Sequence, residues 1–374
     1  MRCFPSVLVL ALLAGGAAAQ TTLVFPPLFK NHAGNAYHGY IFNPSGPKAY
    51  QQARFMEVND LNFSKTTTIK SMAFRWYAGL NFYYHQSFQA DLELTLSTAR
   101  TTGSTISSTF ATNAGKDATV VIARKKVHFP PKLTYGTFPN PFRYKLFFDT
   151  GKTFTLPARK SLCWEIKVYA NDLYLKKSYF IYLDWALLSS SACSYMDYGK
   201  GSDAGNPLYR YKGIIKYNDF NPSLGHRIFG SCYWGPAFGK AFAVIGLDKA
   251  PGGGLPIGPL AKLYIHPARI LTVAGPYDLN YFGGISVPPS KPFLTIPNLP
   301  AYQGAKIYGQ FIALDSGFKN IYGTNGRVIQ LPLWSSTAGK TLGMGYVYMN
   351  GPWAFLSSSG RRGVNTGVIV QFTL

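Results

Sequence analysis

Asp91-Leu92-Glu93-Leu94-Thr95-Leu96-Ser97 alternates polar and apolar residues without a break. In an extended chain Leu92, Leu94 and Leu96 fall on one face and Asp91, Glu93, Thr95 and Ser97 on the other, the pattern of a strand with one wet side. A Thr/Ser/Gly/Asn-rich segment, 98–115, then gives way to Thr119-Val120-Val121-Ile122, which reads as a short buried strand. The same grammar recurs outward from this stretch. Segments 69–76, 142–148, 162–169 and 179–187 read as strands, divided by turn signals such as Pro130-Pro131, Pro139-Asn140-Pro141 and Asp149-Thr150-Gly151. Further strand candidates stand at 241–247, 260–265, 306–314, 326–331, 344–349 and 367–374, with no helical pattern of useful length. The 25 prolines suit sheet edges and loops. The reading is all-β, with two antiparallel β-sandwich domains of jelly-roll-like character rather than βαβ units.

The first residues read as a signal peptide, 1–19. Arg2 supplies a positive start, 7–13 is a short apolar core, and Ala17-Ala18-Ala19 precedes a cleavage point before Gln20. No later apolar run approaches the roughly 20 residues of a membrane helix, so no transmembrane segment is expected. The expected location is secreted or cell-surface. Cleavage leaves 374 − 19 = 355 residues, which at roughly 100 to 200 per domain makes two domains. A Gly/Ser/Asn/Asp/Tyr-rich segment at 189–222 places them at 20–204 and 205–374. Cys163, Cys193 and Cys232 survive processing and allow three pairings. Cys193 with Cys232 is the expected disulfide, since both lie in loop-like sequence. It would close a loop of about 40 residues, worth on the order of 3 to 4 kcal/mol in the chain-entropy account. Cys163, within Leu162-Cys163-Trp164, reads as a small core residue.

Charge is the unusual quantity. Lys and Arg number 37 against 15 Asp and Glu, a net charge of +22. Such a surface attracts anions: acidic polysaccharide, lipid headgroups, extracellular nucleic acid or an acidic protein. The cations are dispersed in short groups, Arg124-Lys125-Lys126, Arg159-Lys160, Lys176-Lys177 and Arg361-Arg362, so adaptation of the whole surface competes with a dedicated site. Charged residues make up only 14% of the chain, against roughly 25% in soluble domains. The surface is therefore expected to be rich in Tyr, Ser, Thr, Asn and Gly.

Tyr50-Gln51-Gln52, 69–75, 91–99, Thr109-Phe110-Ala111-Thr112-Asn113, Thr119-Val120-Val121 and 139–148 occur in an order that resembles a family of exported proteins common in planctomycetes and related bacteria. Ile296-Pro297-Asn298, Gly304, Tyr308-Gly309-Gln310 and Leu314-Asp315 are similar to a C-terminal β module often found in such exported proteins. The resemblance implies secretion and β architecture. It carries no catalytic residues across, and the strong positive charge is a departure from it.

Gly230-Ser231-Cys232-Tyr233 is similar to the stretch around a papain-like nucleophile, but Phe229 replaces the first Cys and the only downstream histidine is His266. Paired carboxylates for glycoside hydrolysis would come from Asp91, Glu93, Glu165 or Asp184, although a solvated sheet face with cross-strand Lys or Arg explains Asp91 and Glu93 as well. Asp197, Asp203 and Asn206 lack the spacing of a calcium loop, and the six histidines make no zinc motif, so no metal or other cofactor is expected. The alternation of Val368, Val370 and Phe372 admits an outer-membrane barrel, which the prolines and the missing ~10-residue spans oppose. Aromatics are the better clue. Trp76, Tyr77, Tyr83 and Tyr84 flank one turn, and Tyr209, Arg210, Tyr211 and Lys212 alternate rings with cations, as suits stacking on sugars and holding their acidic groups. An ordinary half-buried strand gives the same alternation. The expectation is a non-catalytic exported protein that contacts anionic polysaccharide or cell-envelope material and has no specific nucleic-acid partner. The alternatives are a polysaccharide-acting hydrolase or the barrel.

Overall fold

A computed structural model describes residues 21–39, 41–42, 52–77, 87–131, 138–172, 181–187, 194–202, 212–217, 226–288, 290–297, 299–331, 342–350, 354 and 357–374. The fold is all-β and sandwich-like, and every strand pairing among the described residues is antiparallel. No sheet closes into a barrel among the described residues.

The Phe88–Thr98 strand behaves as its alternation requires. Phe88, Ala90, Leu92, Leu94 and Leu96 are buried, and Asp91, Glu93 and Thr95 face outward, half-buried. It lies in a six-stranded sheet in the order Arg361–Val364, Met344–Asn350, Ala53–Asn59, Leu162–Asn171, Phe88–Thr98, Thr119–Phe129. The expected four-residue strand at 119–122 is instead an eleven-residue edge strand, with Val121 and Ile122 buried and Val120 exposed. A four-stranded sheet of Thr22–Phe25, Val370–Thr373, Ser71–Phe74 and Tyr144–Phe147, a three-stranded one of Ala36–His38, Leu183–Leu187 and Thr366–Val368, and a two-stranded one of Thr67–Ile69 and Phe154–Leu156 belong to the same first unit. Their inward residues share one core that includes Phe55, Phe74, Trp164, Trp185 and Phe372.

The second unit packs a sheet ordered Ser194–Tyr198, Gly326–Gln330, Lys306–Leu314, Lys240–Gly246, Ile270–Asp278 against strands Lys212–Tyr217, His226–Tyr233, Ile285–Val287 and Leu294–Ile296. Between them lie Ile228, Cys232, Ala243, Ile245, Phe311 and Ile329. A division into 20–204 and 205–374 therefore does not match the sheets. Ser194–Tyr198 pairs with Gly326–Gln330 in the second unit. Met344–Asn350 pairs with Ala53–Asn59, and Val370–Thr373 lies between Thr22–Phe25 and Ser71–Phe74, in the first. The second unit, 194–331, is thus an insertion, and 342–374 return to close the first unit's sheets. The reason is backbone satisfaction: Ala53–Asn59 and Ser71–Phe74 are buried and need a ladder on both sides.

The units touch through Gln330, whose side-chain amide accepts from Ala33 N and donates to Ala33 O, each at 3.2 Å. Lys306 Nζ donates to Phe138 O. Cys163 is buried and unbridged, as expected. Cys193 lies outside the described residues, while Cys232 is buried.

Candidate functional site

The expected aromatic platform at Trp76 and Tyr77 is not a surface. Both residues are buried, Trp76 at 4% and Tyr77 at 3% exposure. Trp76 bridges to Leu183 and packs in the first core, and Tyr77 N donates to Tyr182 O. Tyr83, Tyr84, Tyr209, Arg210 and Tyr211 lie outside the described residues. Lys212 is described through its backbone, which stands opposite Tyr233 in the ladder.

Tyr233 marks where exposed rings do collect. Tyr233, Trp234, Phe238, Tyr281 and Phe282 all reach solvent, Tyr281 at 67% and Phe282 at 75% exposure. Burial would normally claim such rings. Tyr233 ends the His226–Tyr233 strand, Trp234 and Phe238 sit on the loop that leaves it, and Tyr281 and Phe282 sit on the loop that leaves the Ile270–Asp278 strand. Ring centroids are 5.9 Å apart for Phe238 and Tyr281, 5.3 Å for Tyr281 and Phe282, and 6.2 Å for Tyr233 and Trp234. A cavity of about 270 Å³ opens among Tyr233, Trp234, Asn280, Phe282, Gly284, Ile285 and Ser286.

Backbone geometry holds this arrangement. Trp234 (φ 62°) and Phe238 (φ 54°) adopt the left-handed region, which costs a non-glycine residue on the order of 1 to 3 kcal/mol. Gly283 (φ 63°) passes so close to Gly235 that a Cβ would stand 1.9 Å from Gly235 O, and Gly235 N donates to Gly283 O at 2.9 Å. Asn280 organises both loops. Its Oδ1 accepts from Phe282 N (3.0 Å) and Gly284 N (2.9 Å), and its backbone O accepts from Phe238 N (3.3 Å) and Gly283 N (2.9 Å). Asn280 itself also lines the cavity. Ser286 Oγ lies 2.9 Å from Ser231 Oγ on the neighbouring strand. The result is a ring-walled cleft with a few fixed polar groups, suited to an amphipathic face such as that of a sugar. Tyr233-Trp234 and Tyr281-Phe282 beside Gly/Asn turns are the sequence signal for it: large rings placed where the chain turns in water.

The four carboxylates considered for catalysis are all engaged by cations. Arg124 Nη2 lies 2.8 Å from Asp91, and Lys167 Nζ lies 2.9 Å from Glu93. Arg54 pairs with Glu165, and Arg75 with the buried Asp184. The cross-strand pairing expected for Asp91 and Glu93 is therefore present. Asp197 is held bidentately by Arg327, with Nη2 to Oδ2 at 2.8 Å. Among the described residues no three His, Cys, Asp or Glu gather as a metal site, and no helix is long and apolar enough to cross a membrane. Glu57 is a different case. It is fully buried, accepting from Asn59 Nδ2 and Val368 N at 2.8 Å each, and burial pushes its carboxyl up to about 8. Nearby, burial lowers His38 to about 3 beside the Trp185 ring, whose centroid is 4.7 Å away.

No protein-family model, curated protein or solved structure matches the chain.

Proposed function

We propose that this is an exported, non-catalytic binding protein that contacts anionic envelope or matrix material, with acidic polysaccharide as the ligand. The observation that carries the reading is the exposed aromatic cleft on a chain with 22 more cations than anions. Rings stack on the C–H faces of sugars, and the Asn280 amide donates to a hydroxyl or carboxylate. The positive field raises the local concentration of polyanion and speeds its encounter. Pairing inside the protein leaves that field in place: seven carboxylates form ion pairs among the described residues, and each consumes one Lys or Arg. Export rests on the signal peptide read at 1–19 and on the resemblance to exported bacterial proteins. A Cys193–Cys232 disulfide belongs to the same reading.

Heparin-affinity chromatography of the mature chain tests it. Retention falls steeply as salt rises, because screened contacts weaken over a Debye length of about 10 Å at 0.1 M. Replacing Trp234 and Phe282 together by Ala weakens binding of a short heparin oligosaccharide at least tenfold, about 1.4 kcal/mol. Retention insensitive to salt, or a double variant that binds like the parent, overturns the reading.

A further inference from the structure

Large apolar side chains that face water are not spread evenly over this molecule. Among the described residues, Phe147, Phe238, Tyr281, Phe282 and Phe318 are the ones more than 60% exposed. All but Phe147 stand at one end of the second unit's sheet. There Asp278 lies opposite Lys240, and Lys240 opposite Leu314, so the loops 279–284, 234–239 and 315–320 emerge side by side from neighbouring strands. Gly239 lies against Leu314, where a Cβ on the glycine would stand 2.3 Å from Leu314 O. The first two loops wall the cleft, and the third stands beyond it.

The third loop is built like the cleft's own. Asp315 organises it as Asn280 organises the other: Oδ1 accepts from Lys319 N and Oδ2 from Asn320 Nδ2, at 2.8 Å each, and the backbone O accepts from Phe318 N at 3.0 Å. The turn so fixed holds Phe318 out in solvent at φ 55°. Among the described residues six non-glycine residues have positive φ, and three of them are exposed rings of this sheet end: Trp234, Phe238 and Phe318. That region strains a bulky side chain, and Gly or Asn would hold the same turns at less cost. Strain of this kind collects where a ligand is held. Beside Phe318, Lys319 is exposed and makes no salt bridge among the described residues. The nearby Asp315 carboxylate is taken up by its own loop.

We propose that the 315–320 loop is a second subsite of the cleft, with Phe318 stacking on one sugar and Lys319 holding a sulfate or carboxylate, so that the protein binds an internal run of an acidic polysaccharide and not a lone terminal sugar. This rests on the polysaccharide reading and names the part of the polymer that is recognised. The cavity, about 270 Å³, is small for a ligand pocket and has room for a single sugar ring. Strands about 4.8 Å apart set Leu314 roughly 10 Å from Asp278, which puts Phe318 beyond a sugar seated in the cavity but within reach of that sugar's neighbours in a chain. A ring and a cation side by side answer what each unit of an acidic polysaccharide offers, an apolar C–H face and a charged group. One chain in both subsites makes the second contact intramolecular, so affinity rises with chain length until both are spanned.

Titration calorimetry of the mature chain with heparin disaccharide and heparin hexasaccharide, at one salt concentration, decides the proposal. The hexasaccharide is expected to bind the parent about tenfold tighter than the disaccharide, as an added aromatic and charged contact allows. Phe318→Gly, which suits φ 55° better than Phe does, is expected to bring that ratio below about threefold with little change in melting temperature. Lys319→Gln lowers the ratio partway and makes it less sensitive to salt. Trp234→Ala weakens binding of both lengths, because it strikes the cleft itself. A Phe318→Gly protein that keeps the parent's ratio, or a parent that binds both lengths alike, overturns the inference and leaves the polysaccharide reading standing. A parent that binds neither length overturns both.

Discussion

Asn280 serves the cleft in two ways: its Oδ1 locks the loop, and under the proposed function its amide nitrogen donates to the ligand. The two separate on substitution. Asn280→Asp keeps an acceptor for Phe282 N and Gly284 N but removes the donors and adds a negative charge. It is expected to hold the melting temperature and weaken heparin-oligosaccharide binding about tenfold. Asn280→Ala frees both N–H groups, costing on the order of 1 to 3 kcal/mol, and lowers both quantities. Paired thermal-shift and binding measurements on the two variants check the division. Glu57 gives a prediction in pH. Unfolded, its carboxyl titrates near the ordinary 4.5; folded, near 8. Between those values the native chain holds a proton that the unfolded chain has released. Its contribution to stability is therefore full below about 4.5 and is lost as pH rises towards 8. Denaturant melts across that window should show this decline in the parent and a flatter profile in Glu57→Gln. Equal slopes would refute it.

Among the strands, the two end strands of the six-stranded sheet obey one physical rule: exposed cations keep an open edge from pairing with another chain. Lys126 and Arg361 are exposed on two different edge strands. Replacing both by Thr leaves β propensity high and removes the repulsion that keeps edges apart. The expected result is aggregation at lower protein concentration, followed by light scattering, with less than about 0.5 kcal/mol change in stability, as for surface substitutions generally. Several elements were legible from local pattern. Lys306–Leu314 was expected over the same residues, and the wet and dry faces of Phe88–Thr98 follow from its alternation. Ala53–Asn59 was missed because a strand buried on both faces does not alternate, and Arg54, Glu57 and Asn59 break its apolar run; each is answered by a partner from distant sequence or, for Glu57, also from Asn59 nearby. Ile270–Asp278 was missed because Gly275-Pro276 imitates a turn, although an edge strand tolerates it.

For the molecule as a whole, the two units are joined by a small polar contact in which Gln330 serves Ala33 in both directions. Gln330→Ala removes both bonds, costing about 1 to 3 kcal/mol of coupling. Calorimetry is expected to turn a single transition into two, or to widen their separation; an unchanged trace would show the units coupled by other contacts.

All-β architecture could be read from the chain alone, because in a strand each side chain's direction follows from its neighbours' backbone, and alternation, prolines and turn residues report it locally. The net charge and the core role of Cys163 were likewise open to inspection. Partnership was not. That Met344–Asn350 and Val370–Thr373 return to sheets begun near the N-terminus depends on ladders between residues about 300 apart. Exposure was not legible either. Trp76-Tyr77 and Tyr233-Trp234 look alike as aromatic pairs, yet the first is enclosed by the sheets it joins, while the second is lifted into water by loops tied through Asn280 and Gly283. Burial is the sum of contacts from remote segments, and local sequence does not carry that sum.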